Sequence, residues 1–177
     1  MAKRRLVVTG RTSDGGSVVV SDTEVEAIEV AMLPGSQFHI LWGSDLPPSL
    51  SNPGSPDPPA RYFPPPGGCR FVLFTVPPEP APPPRDLELA AGLEEFHRKL
   101  PGVQEAMEPD RPGMHATESV DFDLVLSGEV ILELADGQEV RLGPGDSAVL
   151  SGNRHAWHNR GEVPCVMLTV LLGAAQF

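Results

Sequence analysis

Four glycine turns, at Ser127-Gly128, Asp136-Gly137, Gly143-Pro144-Gly145-Asp146 and Ser151-Gly152, cut the last third of the chain into apolar segments too short for helices. Short segments evenly spaced between such turns build antiparallel sandwiches or barrels, because each turn reverses the chain and neighbouring strands complete one another's hydrogen bonds. The region 113–172 is therefore expected to be a β jelly roll, and the fold class all-β. Prolines constrain what comes before it. Between Pro47 and Pro84 stand 15 of the chain's 21 prolines, and proline neither donates to a ladder nor continues a helix. Most of that stretch is predicted to be loop, interrupted by one buried strand over the uninterrupted run Arg70–Val76.

Further upstream, Leu6-Val7-Val8 and Val18-Val19-Val20 flank Ser13-Asp14-Gly15-Gly16 and read as a hairpin. Strands are also expected over Val25–Val30 and Gln37–Trp42, with a turn at Pro34-Gly35. Asp86 is expected to cap a helix running to about Leu100, with Leu89, Leu93, Phe96 and Leu100 on one face and Pro101-Gly102 as the stop. The expected organisation is a single domain over 1–177, with N-terminal strands and proline-rich loops at 6–76, the helix at 86–100 and the barrel core at 113–172.

Charge narrows the partners. The chain carries 24 Asp plus Glu against 13 Lys plus Arg, a formal charge of -11, which repels phosphate backbones and anionic headgroups. Neither nucleic acid nor membrane is expected as a partner. The basic start Met1-Ala2-Lys3-Arg4-Arg5 is followed by Leu6-Val7-Val8, but Thr9-Gly10 breaks that run before it reaches the length of a signal-peptide apolar region. Cys69 and Cys165 have no Cys or His partner at zinc-site spacing and are expected to stay reduced. The expected location is the cytoplasm.

The chemistry gathers after His115. A strand's period of two places His115, Thr117, Ser119, Asp121, Asp123 and Val125 on one face and Val120, Phe122, Leu124 and Leu126 on the other. In a one-sided sheet the apolar face would be core. In a barrel whose outer face packs against a second sheet or subunit, the polar row instead lines an inner cavity. Trp157 shares the parity of His155, which suits either the cavity wall or a plain core position, whereas His158 falls on the opposite face.

The segment from Gly113 to Val170 resembles a cupin. The first cupin motif, G-x5-H-x-H-x3/4-E-x6-G, is matched by His115 through Gly128, with Thr117 at the second His and Asp121 at the Glu. The second, G-x5-P-x-G-x2-H-x3-N, is matched by Gly145, Gly152, His155 and Asn159, with one residue fewer before Gly152. Met114–Asp121, Val125–Glu129 and His155–Gly161 are similar to a bacterial and fungal branch of single-domain cupins. In that branch a Val-Thr-Gly strand, here Val8-Thr9-Gly10, and a Leu-Trp strand, here Leu41-Trp42, also recur.

The resemblance implies a cupin barrel, a homodimer, and an inner-face site for a divalent ion (Fe, Mn, Ni, Cu or Zn). Its ligand positions fall on His115, Asp121 and His155, a two-His, one-carboxylate set, with the Thr117 hydroxyl in fourth place. The implied function is a metal-dependent enzyme of oxygenase, isomerase or lyase class acting on a compact organic metabolite. His115, Asp121 and His155 are the catalytic set; Thr117, Ser119, Asp123 and Trp157 contact substrate. Two alternatives stay open: a metal-free His/Asp acid–base isomerase or cyclase, and a non-catalytic cupin that binds a small ligand.

Overall fold

A computed structural model of the chain describes residues 4–50 and 59–175. The chain forms β1 (Arg4–Arg11), β2 (Ser17–Val25), β3 (Gln37–Ser44), β4 (Cys69–Val76), α1 (Leu89–Lys99) and α2 (Val103–Ala106), followed by β5 (Ser119–Ser127) and β6 (Val130–Leu134). It continues through β7 (Glu139–Leu142), β8 (Ser147–Ser151), β9 (His155–His158) and β10 (Cys165–Gly173). The fold is all-β, a jelly-roll barrel. Its strands pair antiparallel in a five-stranded sheet, β3-β4-β10-β5-β8, and a three-stranded sheet, β7-β6-β9, while among the described residues β1 and β2 pair only with each other. Among the described residues no helix is long and apolar enough to cross a membrane.

Two cores divide the inner face of the large sheet. Val125 and Met167 pack with Val130, Leu132 and Leu142 of the small sheet, which closes the β5–β10 half. Val72 and Leu171 pack with Phe96, Leu100, Val103 and Tyr62, so α1, α2 and the end of the proline-rich segment close the other half. Each fully buried aliphatic side chain contributes roughly 1.5–3 kcal/mol through removal from water.

Turn chemistry fixes the register. Gly128 sits at φ 74 between β5 and β6, where a Cβ would lie 2.6 Å from the Pro164 carbonyl oxygen, so only glycine fits. Along β5 the polar row Ser119, Asp121 and Asp123 is buried, while Phe122 and Leu126 on the other parity are exposed. The polar row faces inward, as the barrel alternative requires.

Three expectations are revised. The strand over Val25–Val30 ends at Val25, and beyond it only Ile28 pairs, in a single bridge to Phe38. Helix side chains take the neighbouring backbone groups instead: Ala31 N–H donates to Glu95, and the Glu29 carbonyl accepts from Lys99. The helix begins at Leu89, not near Asp86, because the Glu88 carboxylate accepts from Ala91 N–H and caps it. Leu89 is consequently exposed, whereas Phe96 and Leu100 are buried. A second short helix, α2, follows Gly102 at φ 94.

Candidate functional site

A cavity of about 180 Å³ lies between the two sheets. Its apolar wall includes Phe38, Phe63, Phe74, Met107, Trp157 and Leu171, and its polar side chains include His115, Asp121, Asp123, His155 and Thr169. The carboxylates come from β5 and the imidazole of His155 from β9, so the two sheets supply opposite halves of the chemistry.

His115 reaches the site differently from the rest of its predicted row. Regular strand geometry begins only at Ser119, and His115 instead forms an isolated antiparallel bridge with His155, each N–H donating to the other's carbonyl at 2.9 Å. Their ring centroids are 4.3 Å apart. The Nδ1 atoms of His115 and His155 lie 2.9 Å from the carbonyl oxygens of Gly113 and Asn153, respectively. A carbonyl can only accept, so each Nδ1 carries its proton and each neutral ring keeps a bare lone pair on Nε2.

Burial disfavours charge on both rings. His155 is pushed down to about 4, first by burial and then by the nearby His115. His115 is also lowered by burial, against the opposing influence of the Gly113 carbonyl and the Asp121 charge. Both rings are therefore neutral at pH 7.

The carboxylates are distinguished by their partners. Asp121 Oδ1 accepts from Ser119 at 2.5 Å and Oδ2 from Thr117 at 3.3 Å, with the two hydroxyl oxygens 2.9 Å apart. Its acidity is weakened by burial more than those hydroxyls restore it. Thr117 and Ser119, expected at the substrate, have their hydroxyls on Asp121 in this structure. Asp123 is raised to about 7, chiefly by burial and also by the Asp121 charge, while the Thr169 hydroxyl bonded to Oδ1 opposes the rise. Its Oδ2 is buried with no hydrogen-bond partner among the described residues.

Trp157 stands on the cavity wall, its ring perpendicular to that of His155 with centroids 5.9 Å apart. His158, on the other parity, is bonded to Glu79 and Glu133 at 2.9 and 2.8 Å. Asn159 is buried and holds the turn after β9, donating to the carbonyls of Val76 and Val163 and accepting from Gly161 N–H.

The residues at the site do not fit a resident metal ion. The two bare Nε2 atoms are the kind of ligand an ion takes, with the other ring nitrogen fixed by a carbonyl. Yet among the described residues no group of three or more His, Cys, Asp or Glu side chains is arranged to hold one. Asp121 is engaged by two hydroxyls, and Thr117 stands where the motif has its second imidazole.

Several lining residues lay outside the sequence expectation. Tyr62 and Phe63 come from the proline-rich segment, with Phe63 stacked on His115 at 6.4 Å and Tyr62 edge-on to Phe63 and Phe38. The one available signal was an adjacent aromatic pair, Tyr62-Phe63, amid prolines and glycines.

Comparison with known proteins follows the same segment. Residues 104–171 match the family model described as Cupin domain. A stretch of 56 residues is 48% identical to Phomopsin biosynthesis cluster protein C' of Diaporthe leptostromiformis, covering 29% of this chain and 30% of that protein. A stretch of 62 residues is 37% identical to the cupin-domain-containing oxidoreductase virC of Hypocrea virens, covering 33% and 32%. The match thus spans about a third or less of the length of these relatives. Among solved structures, the polyketide cyclase RemF from Streptomyces resistomycificus aligns over 83% of this chain and 72% of its own, at 17% identity and a TM-score of 0.46.

Proposed function

Since residues 104–171 of this chain form a cupin domain, we propose that its barrel cavity catalyses metal-free proton transfer on a compact, largely apolar organic substrate, as an isomerase or cyclase. The observation that carries this reading is the imidazole pair: two neutral rings 4.3 Å apart, each with Nδ1 fixed on a carbonyl and Nε2 left basic. A ring so fixed is a general base that needs no reorganisation before it acts. One Nε2 accepts a proton from a carbon next to a carbonyl, the electron pair moving into the carbonyl to give an enol or enolate. Return of that proton to a second position isomerises the substrate, and attack of the enolate carbon on an internal electrophile cyclises it. Neither outcome needs an external oxidant or reductant. The Asp121 charge supports the imidazolium formed at His115, and beside a largely apolar wall that support is stronger than in bulk water.

The test uses β-tetralone, a ring ketone with acidic α-protons, and follows deuterium uptake from heavy water by NMR. Wild-type protein is expected to catalyse exchange in the presence of a chelator as fast as without it. His155→Ala and His115→Ala are each expected to lose about 100-fold or more, the usual scale for a general base. Exchange abolished by the chelator, or a stoichiometric ion in protein purified without added metal, would overturn the metal-free mechanism. Exchange unaffected by both substitutions would overturn the imidazole assignment.

A further inference from the structure

We propose that Asp123 is the polar anchor of the cavity and selects a ring-bearing ligand with a hydroxyl group, such as a phenol. This inference rests on the reading of the cavity as a substrate site and adds the class of substrate.

Three observations meet at this residue. Asp123 lines the cavity yet is only 3% exposed. Its Oδ1 is held by the Thr169 hydroxyl across the β5–β10 ladder, where Asp123 and Thr169 are register partners. Its Oδ2 has no hydrogen-bond partner among the described residues. A buried carboxyl oxygen without a hydrogen bond costs free energy that a correctly placed ligand group recovers. Such an atom on a ligand cavity is a recognition element, with its orientation set in advance by the bond to Thr169.

The surroundings define the rest of the ligand. Phe38, Phe63, Phe74 and Trp157 present aromatic surface, which stacks on a flat ring. A volume of about 180 Å³ is on the scale of one substituted aromatic ring. A hydroxyl suits a single unpartnered oxygen, because it brings one donor and also accepts. An ammonium brings three donors, and the Asp121 oxygens are already engaged by Ser119 and Thr117. Sites built to hydrogen-bond a ligand hydroxyl discriminate strongly against the analogue lacking it, since the protein group is then left unpaired.

The experiment compares p-cresol with toluene, two probes of the same shape, by NMR titration of the full chain. In wild type p-cresol is expected to bind at least 10-fold more tightly. In Asp123→Leu that ratio is expected to fall to about 1 through weaker p-cresol binding. Asp123→Asn, nearly isosteric and still able to bond a hydroxyl, keeps part of the preference and shows that the fold survives. Equal affinities in wild type, or a preference that survives Asp123→Leu, would overturn the assignment. Failure of β-tetralone exchange alongside an intact p-cresol preference counts against the acid–base mechanism and supports the anchor.

Discussion

Arg70 has no exposed surface, and its guanidinium donates to the carbonyls of Ser44, Arg61, Tyr62 and Cys69 and to the Asp45 carboxylate. A planar fork of five donors serves this many acceptors where a lysine would not. The side chain thereby ties the last turn of the proline-rich segment to the end of β3 and sets Tyr62 and Phe63 on the cavity. Arg70→Met is expected to lower stability by roughly 3 kcal/mol, because the buried carbonyls it served lose their donors. Calorimetry would then read a Tm drop on the order of 10 °C, and Arg70→Lys would not restore it. At the same scale, the neutral imidazole pair fixes the pH response of exchange. Both rings titrate below the ordinary histidine value, so kcat/KM for β-tetralone exchange should be level through neutrality. It should fall only on the acid side, as the basic Nε2 is lost to protonation. A midpoint at or above the usual imidazole value of about 6.5 would contradict that environment.

Between elements, His158 couples the loop after β4 to β6 by bonding Glu79 on one side and Glu133 on the other. Burial lowers its proton affinity, but the two carboxylates outweigh this and raise it above the ordinary value. A histidine that holds its proton more tightly folded than unfolded adds stability fully present below about pH 6.5. That contribution is lost as pH rises through the folded-state value. The Tm of wild type relative to His158→Gln should therefore be higher at pH 6 by on the order of 2 °C and converge at alkaline pH. An advantage that grew with pH would refute the ion-pair account.

The elements also divide into those legible in the sequence and those that were not. Strands bounded by glycine turns were legible because a turn is decided by its own residues, as at Gly128. Alternation put Asp121 and Asp123 on one face, and the resemblance to the cupin motifs, not alternation, added His155 from another strand. The aromatic wall was not legible, because Tyr62 and Phe63 are placed by Arg70 and by Gly173, far along the chain. There Gly67 N–H donates to the Gly173 carbonyl and Gly173 N–H to the Gly68 carbonyl, both at 2.9 Å. A Cβ on Gly173 would lie 1.8 Å from the Pro65 carbonyl oxygen, so this contact exists only with glycine. Parity placed His115 on a regular β5; the structure instead places it beside β9 through its bridge to His155, from where it lines the same cavity.

Over the whole molecule, the formal charge of -11 adds a long-range field to the two carboxyl groups inside the cavity. A neutral ligand crosses that field without cost, whereas an anion is opposed by both. p-Toluate is accordingly expected to bind more weakly than p-cresol in the same titration. Part of the gap should close at high ionic strength, where the surface contribution is screened. A p-toluate affinity equal to that of p-cresol would show that charge plays no part in selection.

The backbone bridge between His115 and His155 has a mechanical consequence. Because their peptide groups exchange hydrogen bonds in both directions, the two rings ride on one rigid unit, and thermal motion cannot readily pull them apart. The carboxyl groups ride on the opposite sheet. Any breathing of the barrel therefore has one chemically relevant coordinate, the separation of a fixed base pair from a fixed acid pair, and ligand entry and proton transfer must share it.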